Sequence, residues 1–186
     1  MAYFFNPLTN FKLLNLPFRQ KIKNFYSKRL VRKWTKISSW NPNYLTGLYF
    51  KDGQWVDGPN LRFSRRWAGC GTFDSGEDTY IIAVGGTAGS GNGRKSVEIL
   101  NIRGDNWFDG PNMPFSSEKA MVGSLANSLE GEVAWVFGGT NTEASAVSDA
   151  ILRLHCQGQP KTGECQWIYH DQRLKDRRDY GKVITF

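Results

Sequence analysis

The chain is short of the residues from which metal and hydrolytic sites are usually built. Its 186 residues include two histidines, His155 and His170, and three cysteines, Cys70, Cys156 and Cys165. None of the cysteines sits in a C-x-x-C pair and the histidines complete no ligand cluster, which argues against a structural zinc site. No Ser/His/Asp set can be identified around two histidines that have no motif. The reading is therefore a non-enzyme with no metal and no cofactor. No apolar run reaches the ~18 residues a membrane span needs. The first residues, "MAYFFNPLTNFKLLNLPF", lack the charged start, long apolar middle and small-residue cleavage site of a secretion signal. The compartment stays unknown, with the cytoplasm as default.

Acidic residues are missing from one part only. Residues 1–50 hold nine Lys or Arg and no Asp or Glu, and the rest holds 24 − 9 = 15 basic against all 17 acidic residues. The net charge of +7 thus belongs to an arm, and the body is close to neutral at 15 − 17 = −2. A near-neutral body argues against a nucleic-acid groove in the folded part. What the chain has in quantity is glycine, 20 residues, and aromatics, 14% with seven tryptophans. That combination points to short strands joined by tight turns.

The stretch "IIAVGGTAGSGNGRKSVEIL", Ile81 to Leu100, sets an apolar run, a glycine-rich loop and a Lys-Ser pair in order. A phosphate-binding loop would need G-x-x-x-x-G-K-[ST] between a strand and a helix, so that backbone N–H groups and the helix dipole meet the phosphates. Here Arg94 precedes Lys95–Ser96, and "SVEILNI" is a β-branched strand pattern rather than a helix. The phosphate-loop reading fails on both counts.

The same shape recurs. Gly85–Gly86 and Gly138–Gly139 lie 138 − 85 = 53 residues apart, each closing an apolar run, and Ser96–Leu100 and Asp149–Arg153 keep that offset. "WVDGPNL" begins at Trp55 and "WFDGPNM" at Trp107, an offset of 52, while Trp167 lies 60 beyond Trp107. The eight extra residues fall inside "HCQGQPKTGECQ". Arg65, Arg66 and Gly69 match Arg177, Arg178 and Gly181 at offset 112, and "SEKAMV" replaces them in the middle copy. A repeat of about fifty residues is the signature of stacked supersecondary units.

This pattern resembles the kelch repeat: a strand ending in Gly-Gly, a variable loop, a second strand, a turn, a Trp, then an Arg-Gly pair. The resemblance covers about residues 44–186 and implies an all-β, kelch-type β-propeller with antiparallel four-stranded blades. Residues 1–43 form a basic N-terminal arm, 44–67 a partial blade, 68–119 and 120–174 full blades, and 175–186 the start of the next. The glycines end strands where blades crowd or φ is positive, and Trp55, Trp107 and Trp167 fill the space between blades. About three blades fall short of the ~4–8 that close a ring. The chain is then a fragment of a longer propeller, or it self-associates to close one.

Several features stay open. The arm fits a disordered segment, a replaced first blade, or a short amphipathic helix for anionic lipid, nucleic acid or organelle targeting. Cys156 and Cys165 flank the extra loop on two arms of a hairpin, where a disulfide or two free thiols both fit. A disulfide would argue for an extracellular parent protein. "TFDSGEDTY", with Asp74, Gly76, Thr79 and Tyr80, resembles the Asp-box of sialidase propellers but has one residue too many, and reads as a hairpin loop.

The resemblance implies a scaffold that offers rim loops to an unidentified protein partner. The binding candidates are Asn92, Arg94 and Lys95 in the loop Thr87–Ser96, and Asn141, Glu143 and Asp149 in the loop Thr140–Asp149. Two other classes remain: a galactose-oxidase-like or carbohydrate-active propeller enzyme piece, and a non-functional truncated copy. Galactose-oxidase chemistry needs tyrosines, histidines and a Tyr–Cys cross-link around copper, and His155 and His170 do not converge on an axis.

Overall fold

A computed structural model of the chain describes residues 35–37, 47–51, 54–87, 93–124 and 132–181. Among them all regular structure is β and the sheets are antiparallel. Strands β1 (Thr35–Ile37), β2 (Gly47–Lys51) and β3 (Gln54–Asp57) form a three-stranded sheet. The first complete blade has β4 (Gly69–Ser75), β5 (Asp78–Val84), β6 (Val97–Asn101) and β7 (Phe108–Gly110) in sequential order. Strand β8 (Ser117–Glu118) leads into the second blade, made of β9 (Met121–Gly123), β10 (Glu132–Phe137), β13 (Ile151–Gln157) and β14 (Glu164–Tyr169). Strands β11 (Thr140–Asn141) and β12 (Ala146–Val147) pair with β8 in a small rim sheet.

Strand β1 lies within the segment read as an arm; β-branched Thr35 and Ile37 pair opposite β2 at Tyr49 and Gly47. Residues 1–34, and with them the lipid, nucleic-acid and targeting readings, lie outside the described residues, as do Asn92 and residues 182–186.

The core sits between blades rather than within one. Tyr80, Ile82, Val84, Val97 and Ile99 on one face of the first blade meet Val122, Ala134, Val136, Leu152, Leu154 and Cys156 of the second. The opposite face of the first blade carries Cys70, Ile81, Ala83 and Leu100, covered by Leu61 and Trp107. Buried on both faces, β5 reads as an unbroken apolar run, because neither parity of its side chains meets water.

Hydrogen bonds reveal why the repeated residues repeat. Trp107 Nε1 donates to Pro59 O at 3.0 Å, and Trp167 Nε1 donates to Pro111 O at 2.8 Å. Each Trp thus ties its blade to the Gly-Pro-Asn turn of the unit before it. The double glycines mark the closest backbone approach between units. A Cβ at Gly85 would lie 2.1 Å from Ser117 O, and one at Gly138 would lie 2.3 Å from Arg178 O. Both glycines also hold positive φ, 59° and 62°.

The ladders shift two sequence offsets by one residue. Gly85 N donates to Ser96 O and Gly138 N to Ala150 O, so β13 is in register with β6 at offset 150 − 96 = 54, not 53. The added residue sits in the second Gly-Gly loop, where Thr140 faces Val147 while Thr87 faces Gly93. At the unit junction, Gly86 N donates to Ser117 O and Gly139 N to Arg178 O. Arg65, Ser117 and Arg178 are therefore equivalent, and the third copy is offset by 178 − 65 = 113 rather than 112. Gly181 takes the place of Ala68, not of Gly69.

Candidate binding face

The chain leaves each unit through a turn that contains one left-handed residue: Trp67 (φ 55°), Lys119 (φ 59°) and Tyr180 (φ 57°). Left-handed residues other than glycine cost on the order of 1–3 kcal/mol and persist only where neighbours impose them. Here backbone bonds do so. Lys119 N donates to Trp67 O at 2.7 Å, and Tyr180 N donates to Lys119 O at 3.1 Å. Three successive units thus contribute one side chain each to a single line across the blades.

That line is open to solvent and has one chemical character. Trp67 is 41% exposed and Tyr180 65%. Lys119 Nζ lies 5.1 Å from the Trp67 ring centre and 4.8 Å from that of Tyr180, bridging the two. The Arg66 guanidinium lies 4.4 Å from the Trp67 ring centre as well. Nearby, exposed Phe63 meets Arg62 at 5.9 Å and Arg94 at 5.5 Å. Such contacts contribute roughly 0.5–1 kcal/mol each at exposed sites. Among the described residues, Arg66 and Lys119 have no carboxylate within ion-pair reach. Close to this line, Arg94 Nε, Ser117 Oγ and Glu118 Oε2 are buried without a hydrogen-bond partner.

The loops singled out from the sequence are brought together, but they are spent on each other. Lys95 Nζ pairs with Glu143 Oε1 at 3.0 Å across the two blades. Glu143 also accepts from Ser116 Oγ at 2.9 Å and from Ser116 N at 3.2 Å. The Lys95 hydrogen bond first, then those from Ser116, hold the Glu143 carboxyl below its usual 4.5. Asn141 Oδ1 accepts from Glu143 N and Ala144 N, shaping its own turn. Asp149 stands apart, 2.8 Å from Arg173, whose hydrogen bond lowers its pKa. Of the five sequence candidates among the described residues, Arg94 is the one that rests on an exposed ring, that of Phe63.

The repeat residues divide likewise. Arg66 lies on the face, and Gly69 begins β4 against Ala120 and Val122. Arg178 is exposed beside Asp176 at 3.3 Å. The side chain of Trp55 is outside the described residues.

One buried site escaped the sequence reading. Glu98, between Val97 and Ile99, is fully buried and pairs with buried Arg65 at 2.7 Å. Arg65 also donates to Gly85 O and Ser96 O, both at 2.7 Å, and to Ser96 Oγ at 3.0 Å. Arg62 N donates to the second Glu98 oxygen at 2.5 Å. Against this pair lies Cys70, whose thiol burial pushes up to about 12; Arg65 opposes that rise and Glu98 adds to it. The near-miss Asp-box is the β4–β5 turn, with Thr79 Oγ1 donating to Asp74 Oδ1 at 2.6 Å and Gly76 left-handed. Cys156 and Cys165 are paired across β13 and β14 and joined as a disulfide. His170 rests 5.3 Å from the Trp135 ring and its Nδ1 accepts from Gln172 N. Among the described residues no helix is long and apolar enough to cross a membrane.

Comparison with known proteins bears on the motif and the fold. The model of the Kelch motif matches residues 78–114, which run from β5 through the turn after β7. The structure described as "Structure of YjhT", a kelch-type propeller, superposes with a TM-score of 0.52 at 18% identity, over 75% of this chain and 42% of that one. The chain thus spans less than half the length of that relative. No curated protein matches it. The motif, the four-stranded blades and this superposition together give the chain the fold of a kelch-type β-propeller.

Proposed function

We propose that the chain is a non-catalytic protein-binding scaffold whose contact surface is the line Trp67–Lys119–Tyr180, flanked by Phe63 and Arg66. The observation that carries this reading is the repeated left-handed turn, which sets half-buried Lys119 between exposed Trp67 and Tyr180. Exposed aromatics and arginine are the residue types that dominate interface energetics. Cations resting on rings rather than on carboxylates favour a partner segment that brings its own acidic groups. The Gly-Gly loops hold neighbouring blades in place and sit outside the contact.

The test is fluorescence anisotropy of a labelled library of acidic decapeptides, with neutral peptides of the same length as control. Trp67→Ala and Lys119→Ala each weaken the strongest binder by roughly 10-fold or more, and Lys95→Ala leaves it unchanged. Equal binding by all three variants, or no preference for acidic peptides, refutes the proposal.

A further inference from the structure

We infer that the Cys156–Cys165 disulfide is a redox-controlled latch between the two complete blades. The residues that lengthen this unit close a hairpin between β13 and β14. Gly158 turns it with φ 88°, and Thr162 N and Gly163 N both donate to Gln159 O, at 3.1 and 2.7 Å. With its backbone so fixed, Gln159 sends its side chain into the neighbouring blade. Its Oε1 accepts from Tyr80 OH at 2.7 Å, a contact between residues 79 apart in sequence. The β4–β5 turn leaves room for it, since a Cβ at Gly76 would come within 3.1 Å of Gln159 Nε2. The disulfide lies at the base of this arm. Cys156 is packed in the inter-blade core with Tyr80, and Cys165 packs against that core from the hairpin side. Cys70, the remaining cysteine, is buried elsewhere and takes no part.

The chemistry is thiol–disulfide exchange with a dithiol. One thiolate of the dithiol attacks one sulfur of the bridge, giving a mixed disulfide and releasing the other cysteine as a thiolate, which takes a proton. The second thiol of the dithiol then displaces the remaining cysteine. The protein gains two thiols, and the dithiol leaves as a disulfide. Reclosure is the reverse, with a small disulfide as oxidant. Opening the ring of residues 156–165 returns loop-closure entropy to the arm, favouring its open states by up to ~100-fold. Gln159 then leaves Tyr80, and the edge of the first blade at residues 76–80 loses its cover.

Amide hydrogen exchange on the full chain, before and after dithiothreitol, tests the latch. Reduction is expected to speed exchange up to ~100-fold in residues 157–165, with a smaller gain at 76–80 and none in 97–101. Gln159→Ala with the bridge intact should speed exchange at 76–80 alone. Three free thiols in the denatured, unreduced chain would overturn the proposal. So would reduction that leaves 157–165 and 76–80 unchanged, or that accelerates the whole core evenly.

Discussion

Replacing Glu98 with leucine should cost far more alone than together with Arg65→Ser. Both side chains are fully buried, and the Arg65 Nε to Glu98 Oε2 distance is 2.7 Å. Removing one partner leaves a charge in the core, at a cost of about 3–5 kcal/mol. That is a large share of the ~5–15 kcal/mol that holds an ordinary domain together. The second blade shows what the same positions do without charge, because the register makes Ser117 the equivalent of Arg65 and Leu152 the equivalent of Glu98. Leu152 is 1% exposed and packs in the main core. The double variant Arg65→Ser/Glu98→Leu copies that arrangement. It takes Arg65 from the Gly85 carbonyl and Glu98 from the Arg62 N–H, each orphaned group costing roughly 1–2 kcal/mol, while Ser96 O keeps the Gly85 N–H; it leaves no buried charge. Its total should be about 2–4 kcal/mol, against about 6–10 kcal/mol for the sum of the singles. Urea unfolding followed by tryptophan fluorescence supplies all four corners of the cycle. If Glu98→Leu does not fold, Glu98→Gln replaces it with the same direction. Additivity to within ~0.5 kcal/mol would refute the reasoning, because the pair would then not be acting as a pair.

Three further outcomes follow from the same geometry. Gly85→Ala should destabilise by more than ~3 kcal/mol, since it adds a backbone clash with Ser117 to a left-handed φ; a loss below ~1 kcal/mol in chemical denaturation would show that the units are not tightly apposed there. The contact between the two Gly-Gly loops should depend on acid. Glu143 has a lowered pKa, so the stabilisation is full above the ordinary 4.5 and is lost as pH falls through the depressed value. An NMR titration of the Ser116 amide should therefore show a midpoint below 4.5, rising when Lys95 becomes methionine; a midpoint at or above 4.5 in the parent chain would contradict it. Cys70 should resist alkylation at pH 8, because its thiol is buried and its pKa is pushed up to about 12. Mass spectrometry should find iodoacetamide reacting with it only at the rate of global unfolding, and rapid labelling of the native chain would count against this packing.

The sequence alone determined the repeat, the strand order within a blade and the all-β class. Gly-Gly, Trp and Gly-Pro-Asn recur because each meets a demand made once per unit: close backbone approach, a bridging indole, and the carbonyl it binds. Such demands leave residue identities in phase, so they can be read without coordinates. Strand β5 was equally legible, as its apolar run follows from burial on both faces. Tertiary structure decided what no single unit's pattern encodes. Glu98 looks like the polar member of an alternating strand, and only its meeting with Arg65, 33 residues earlier in the chain, makes it a core residue. Lys95 and Glu143 read as free loop polar groups, yet the apposition of the two blades turns them toward one another. Trp67, Lys119 and Tyr180 share no residue type, so no motif joins them. What they share is a backbone conformation and a hydrogen-bonded line that exists only once the units stand side by side.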